Sequence, residues 1–274
     1  MKIYLIGSNG FLGSNLQKWF QRYGEIRVAK SFNRNDPSEW QAEVLDDMVE
    51  FEPEIILIPG ASQDIGDDEK SVHNLIASNC LFPALIAQRL VQCLPKSKLV
   101  VFGTSWQYSD SDSYRPCNLY AASKQAGQDL LTHYALQGLK ILSLILFDTY
   151  SENDNRVKLY RLLQDSIIKN IEIGVTHGEQ EIDLVHIDDI CSGVELAITE
   201  LDSWDTSQGL LVLGLGSGAP ITVQELIRRM GARAIIGARP YRNREVMKVY
   251  RKYNRPKGWL PKIKKFQNND FGNI

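Results

Sequence analysis

The hydrophobic positions change their period along the chain. In the first 150 residues, short runs of Val, Ile and Leu alternate with stretches where apolar residues recur every three or four positions. "KIYLIG" (2–7), "EIRVAK" (25–30), "EIILIPGAS" (54–62), "KLVVFGTS" (98–105) and "KILSLILFD" (140–148) predict strands. Residues 10–22, with Phe11, Leu12, Leu16 and Phe20 at helical spacing, predict a helix, as do a segment near 37–50, a long pattern from about 69 to 94, and 118–137. Short apolar strands alternating with amphipathic helices predict a parallel sheet covered on both faces, an α/β doubly wound architecture of the Rossmann kind.

Beyond residue 150 the pattern loosens. A polar stretch (151–158) leads to a helix near 158–169 and a strand "IEIGV". "LVHIDDICSGVELAITEL" (184–201) begins as a strand and turns helical at Asp188 and Asp189, where acids favour the positive end of a helix dipole. "GLLVLGLGSG" (209–218), a helix at 221–231 with Thr222 and Glu225 in capping-box spacing, and "RAIIGA" (233–238) follow. The last 30 or so residues are basic and aromatic, with Pro256 and Pro261 breaking regularity. The expected organisation is a dinucleotide-binding domain over 1–150, to which the chain returns around 182–214. A smaller substrate lobe would comprise 151–181 and 215–274.

The first strand runs into "GSNGFLG". Gly7 suits a tight turn, Gly10 lets backbone approach a pyrophosphate, and Gly13 lets the helix pack close to the sheet. With Asn9, Phe11 and Leu12 between them, these residues are the candidate phosphate contacts at a helix N-terminus. After the second strand, where an acid would favour NAD by binding the adenosine ribose, stand Lys30, Ser31 and Arg34, with no acid before Asp36. That favours NADP(H) over NAD(H); the alternative is a solvated basic turn.

A second candidate is "NLYAASKQAG" (118–127), with Tyr120 and Lys124 four apart. On a helix they share a face, and an ammonium near a phenol lowers its pKa. With 11 tyrosines and 16 lysines, chance alone gives roughly 0.6 such pairs, so spacing decides nothing. The other pair, Tyr253–Lys257, contains Pro256 and has no regular helix to align it. The 118–127 pair gains meaning from Thr104 and Ser105, 16 residues earlier at the C-terminal end of a strand, the edge where open parallel sheets bind ligands.

Composition narrows the field. With 31 basic and 33 acidic residues the net charge is −2, without the bias expected of a nucleic-acid or membrane-surface binder. No unbroken apolar run reaches the 18 or so residues of a span, and the N-terminal apolar run is too short for a signal peptide. Cys80, Cys93, Cys117 and Cys191 lack ligand or disulfide spacing; three of the four read as buried free thiols, which fits the cytoplasm. His73, His133, His177 and His186 are equally dispersed, so no metal is expected.

Taken together, these residues resemble the extended short-chain dehydrogenase/reductases, the NAD-dependent epimerase/dehydratase group that acts on nucleotide sugars. The resemblance covers nearly the whole chain. It rests on Gly7, Gly10 and Gly13, on Gly103 and Thr104 before "SWQY", on Pro116, Tyr120, Ser123 and Lys124, and on "PGAS", "VHIDDI", "LGSGAPITVQEL" and "KGWLPKI". It implies that Tyr120 is the general acid/base, that Thr104 binds the same substrate oxygen, and that Lys124 holds the nicotinamide ribose and lowers the Tyr120 pKa. Pro59, Gly60, Ala61 and Asn79 would line the cofactor site, and a homodimer through helices like 69–94 and 118–137 is expected.

Two departures bear on the reaction. The 4,6-dehydratases carry Thr-Asp-Glu where this chain has Thr104, Ser105 and Trp106, so dehydration is not expected. Reductases that also epimerise place a Cys where Trp106 stands. What remains is reduction of a nucleotide-activated 4-keto-6-deoxy sugar, as in the enzymes that finish sugars such as abequose, or NAD-dependent 4-epimerisation; a catalytically silent NADP-binding protein is the third reading. Ser105, Trp106, Lys158 and Arg242 are the candidate substrate contacts. Core packing is the alternative for Trp106 and a solvated basic face for the two cations.

Overall fold

The computed structural model describes residues 1–32, 37–111, 113–249 and 253–264. Its first part alternates β1 (Lys2–Leu5), α1 (Phe11–Phe20), β2 (Glu25–Val28), α2 (Pro37–Phe51), β3 (Ile55–Ile58), α3 (Glu69–Ile76), α4 (Phe82–Cys93), β4 (Lys98–Thr104), α5 (Leu119–Ala135) and β5 (Lys140–Leu146). Then follow β6 (Asp148–Tyr150), α6 (Leu159–Ile168), β7 (Ile173–Gly174), β8 (Glu181–Ile182), β9 (Leu184–His186), α7 (Ile187–Glu200), β10 (Leu211–Leu215), β11 (Ile221–Thr222), α8 (Val223–Met230) and β12 (Ala234–Ile235).

Six of these strands form one parallel sheet in the order β2-β1-β3-β4-β5-β10. The chain winds outward from β1 in one direction to β2 and in the other through β3, β4 and β5. The reversal leaves a crevice at the C-terminal ends of β1 and β3, where such sheets bind ligands. Side-chain alternation splits the strands between two cores. Ile3 and Leu5 join α1 and α7 through Leu16, Phe20, Ile190 and Val194. Tyr4 and Ile6 join α2, α4 and α5 through Val44, Met48, Ile86, Leu90 and Leu131.

The pattern over 69–94 predicts one helix, but the structure inserts a π turn, Ala77–Leu81, between α3 and α4. There α5 comes into backbone contact: a Cβ on Gly127 would lie 2.0 Å from the Asn79 carbonyl oxygen. The whole segment Glu69–Cys93 has the length and mean hydropathy of a membrane span, although its apolar residues are not contiguous. Leu75, Phe82, Ile86, Ala87 and Leu90 are buried in the protein, as in a helix that packs on a sheet.

Outside the sheet, Tyr150, Tyr160, Leu163, Leu226 and Met230 make a third, smaller core. Short pairs β11–β8, β12–β7 and β6–β9 frame it. The two late sequence motifs meet at α7, where Trp259 joins the first core. Asp189 Oδ2 accepts from the backbone N–H of Lys262 and Ile263 (3.0 and 2.8 Å), while the Asp189 carbonyl accepts from Trp259 Nε1 at 2.9 Å. His186 accepts from the Asp188 N–H at 3.2 Å and sits 3.0 Å from Glu152 Oε2, so this turn is structural. Of the cysteines, Cys80 and Cys191 are buried, Cys117 is half-buried and Cys93 is exposed, so two and not three are core thiols. Cys93 ends α4 on its solvent side.

Candidate active site

The glycine turn is built by close backbone approach. Gly7 has φ 99°, and a Cβ there would lie 2.4 Å from Gly60 Cα, so the ends of β1 and β3 touch. A Cβ on Gly13 would lie 2.0 Å from the Gly7 carbonyl oxygen, which fixes how near α1 comes to the turn. Gly10 differs: its Cβ would meet nothing closer than the Gly7 oxygen at 3.7 Å. No side chain among the described residues caps α1 at Gly10, so the first N–H donors of the helix, at Phe11 and Leu12, are left open at the crevice.

Beside the turn, Asn9 Nδ2 donates to Ser31 Oγ at 3.1 Å, linking it to the segment after β2. Lys30 is paired with Glu43 Oε2 at 3.0 Å, and both side chains are exposed. Arg34 and Asp36 lie outside the described residues. Pro59, Gly60 and Ala61 leave β3 at the floor of the crevice, with the Gly60 N–H donating to Ile6 O at 3.1 Å.

At the end of β4, Thr104 caps a 3₁₀ turn, Ser105–Gln107. Its Oγ1 accepts from the Trp106 N–H at 3.3 Å and its own N–H donates to Gln107 Oε1 at 2.9 Å. Gln107 is fully buried and anchored to Gln125 of α5 at 2.8 Å. Asn118 caps α5, its Oδ1 accepting from the Ala121 N–H at 2.9 Å, and so sets Tyr120 in the first turn. Trp106 stands edge-on to Tyr120, ring centroids 6.5 Å apart, half-buried beside the phenol and not in the core.

One turn on, Lys124 lines a recess with Gly60, Asn79 and Gly103. Ser123 ties the recess together: its hydroxyl donates to the Tyr120 carbonyl (2.8 Å) and accepts from Asn79 Nδ2 (2.9 Å). Asn79 also donates to Ser62 O at 3.1 Å, but its Oδ1 is buried with no hydrogen-bond partner.

Burial pushes the Tyr120 phenol up to about 12 and the Lys124 ammonium down to about 8. The expected lowering of the Tyr120 pKa by Lys124 is therefore overturned in the free protein, where desolvation of the phenol outweighs any pull from the ammonium. At neutral pH the phenol is protonated and Lys124 is mostly charged.

The other expected residues scatter more widely. Lys158 caps α6 at an exposed position within electrostatic reach of Asp148 and Arg156. Arg242 is exposed in a turn closed by Glu245, within reach of the Cys117 thiol, which burial pushes up to about 11. The Cys117 N–H donates to Trp106 O at 3.1 Å, so Arg242 approaches the Trp106 side of the site. Two parts escaped the sequence reading. Gln107 was legible as the fourth residue of "TSWQ", a capping-box string. The π turn has no local signal, because it answers a helix 50 residues away.

A nicotinamide dinucleotide fits what the site leaves open. Gly10 bares a backbone cradle that nothing among the described residues fills. Asn79 Oδ1 lacks a partner, and the Lys124 ammonium makes no hydrogen bond or ion pair among the described residues.

Comparison with known proteins follows the same line. Residues 3–212 match the family described as NAD dependent epimerase/dehydratase family. The chain is 26% identical over 270 residues to the CDP-abequose synthase of Yersinia pseudotuberculosis, covering 92% of this chain and 93% of that one. It is 28% identical over 145 residues to UDP-glucuronate 4-epimerase 4 of Arabidopsis thaliana, covering 48% of this chain and 33% of that one. A UDP-glucose 4-epimerase from Thermotoga maritima, solved with UDP-glucose, superposes with a TM-score of 0.80 at 18% identity, covering 99% and 97% of the two chains.

Proposed function

The chain belongs to the NAD dependent epimerase/dehydratase family, extended short-chain enzymes acting on nucleotide sugars, and from that premise we propose that it reduces a nucleotide-activated 4-keto-6-deoxy sugar with NADPH. The observation that carries this reading is the make-up of the turn after Thr104. It sets Trp106 against the Tyr120 ring, has Ser105 and Trp106 at the two positions after Thr104, and holds no carboxylate to run an elimination. The full-length similarity to a CDP-abequose synthase supports it.

A reduced nicotinamide cofactor held by the Gly7–Gly13 turn and Lys124 would supply the hydride. Thr104 Oγ1 and Tyr120 Oη donate hydrogen bonds to the C4 carbonyl oxygen. As that oxygen gains charge, Tyr120 transfers its proton to it; a phenol, even at about 12, is a stronger acid than the alcohol being formed. The resulting phenolate would lie one helical turn from the Lys124 ammonium, which would also hold the ribose hydroxyls.

Lys30 and Ser31 support the NADP(H) preference: the exposed Lys30–Glu43 pair is weak and can exchange for a 2′-phosphate. Exposed Val72, Ile76 and Leu81 beside the π turn, with Leu130 on α5, support a homodimer, which light scattering after size exclusion checks.

The assay is to incubate the protein with NADPH or NADH and a panel of CDP-, dTDP- and UDP-4-keto-6-deoxy sugars, following nicotinamide absorbance. Consumption of NADPH on one of them, faster than of NADH, is expected. No turnover on any ketosugar, together with C4 epimerisation of an ordinary nucleotide sugar by tightly held NAD, sinks the reductase reading.

A further inference from the structure

Between β6 and α6 the chain passes the glycine turn, and one side chain of that passage is fixed with unusual completeness. The Arg156 guanidinium lies over the Phe11 ring, 3.8 Å from its centroid. Asp154, itself 3% exposed, takes the Nε edge: Nε to Oδ1 at 2.9 Å and Oδ2 at 3.1 Å, Nη2 to Oδ2 at 2.6 Å. Nη2 also donates to the carbonyl and hydroxyl of Thr149, at 3.0 and 3.2 Å.

Arginine has five N–H donors. Nε and Nη2 account for three, and Nη1, carrying the other two, has no partner among the described residues. A half-buried guanidinium gains most when both edges are used, and Asp154 occupies only one. The shelf on which it lies, Phe11, is the first residue of α1 and bears one of the uncapped N–H donors at the crevice. Lys158, two residues on, adds a second cation from the same passage.

From this geometry we propose that Arg156 is a binding residue for a pyrophosphate diester. Asp154 and Phe11 hold it, and its free Nη1 reaches phosphate at the mouth of the glycine turn. The inference rests on the nucleotide-sugar reading above, in which two pyrophosphates enter the crevice, the cofactor's and the substrate's. The clamp also joins the first helix of the cofactor turn to the strand-to-helix passage that leads into the substrate lobe. The Arg156–Phe11 contact is not visible in sequence, since the two residues are 145 positions apart.

The test compares wild type with Arg156→Lys and Arg156→Gln by titration calorimetry. ADP-ribose and AMP probe the cofactor side; CDP-glucose and CMP probe the substrate side. Lysine keeps the charge and can still pair with Asp154, but it lacks the second donor edge, so it is the informative variant if glutamine fails to fold. Arg156→Lys is expected to weaken one of the two diphosphate probes about tenfold while shifting its monophosphate counterpart less than twofold. The side on which the loss appears identifies the pyrophosphate. The proposal is overturned if both diphosphates stay within twofold, or if mono- and diphosphate probes weaken together, which marks a loosened fold. Wild type that binds neither ADP-ribose nor CDP-glucose removes the nucleotide-sugar reading itself, and this inference with it.

Discussion

Tyr120 and Lys124 sit one helical turn apart, yet burial moves them in opposite directions, the phenol up to about 12 and the ammonium down to about 8. Each shift disfavours the charged form and so has a consequence that can be measured. The unfolded chain keeps Lys124 protonated to its ordinary value near 10.5, the folded protein only to about 8. Between those pH values the unfolded state binds more protons, so this group's contribution to stability rises with pH there and is least favourable below 8. Lys124→Met, without cofactor, is therefore expected to be more stable than wild type at pH 7, by on the order of 1–3 kcal/mol. Denaturant unfolding should show the advantage shrinking toward pH 10, while NADPH binding falls. Tyr120→Phe is expected to keep NADPH affinity within twofold and to lower kcat roughly 10²–10⁴-fold, the range for losing a positioned proton donor.

At the scale of elements, the glycines separate folding from function. A Cβ at Gly13 would drive into the Gly7 carbonyl at 2.0 Å, and one at Gly10 would meet only a van der Waals neighbour at 3.7 Å. Gly13→Ala is expected to cost about 1–3 kcal/mol or more, as overpacking does. Gly10→Ala should cost less, up to about 1 kcal/mol because Ala is a poorer N-cap than Gly, yet weaken NADPH at least tenfold by filling the cradle. A matched pair of melting curves and fluorescence titrations checks both. Gly127 repeats the lesson at the π turn. Gly127→Ala must part α5 from the Asn79 carbonyl, and because Ser123 links Asn79 to Tyr120, stability and cofactor affinity should fall together. The helical pattern over 69–94 gave no sign of this, because it records which residues are apolar and not where a neighbouring backbone presses.

Across the whole molecule, the C-terminal strap closes the second layer of the fold. Trp259 is 3% exposed, packs on α7, and bonds Asp189 in the motif that starts that helix. Trp259→Ala is expected to cost about 3–5 kcal/mol, the range for deleting a buried large aromatic, read by urea unfolding. Asp189→Ala should instead release the strap at Lys262 and Ile263, seen as faster proteolysis after residue 255 with the N-terminal sheet intact.

The sequence by itself determined the alternation of strand and helix, the glycine turn, and the Thr104, Tyr120 and Lys124 motifs. Each of these is encoded by neighbours in the chain: a two-residue or 3.6-residue period, a cap, a residue that tolerates positive φ. Only the tertiary structure decided the order β2-β1-β3-β4-β5-β10, the π turn, the raised Tyr120 pKa, and the meeting of Asp189 with Trp259 and of Arg156 with Phe11. Those depend on desolvation and on contacts between residues tens to more than a hundred positions apart. Local pattern cannot carry them, since nothing in the identity of a residue says what will exclude its water.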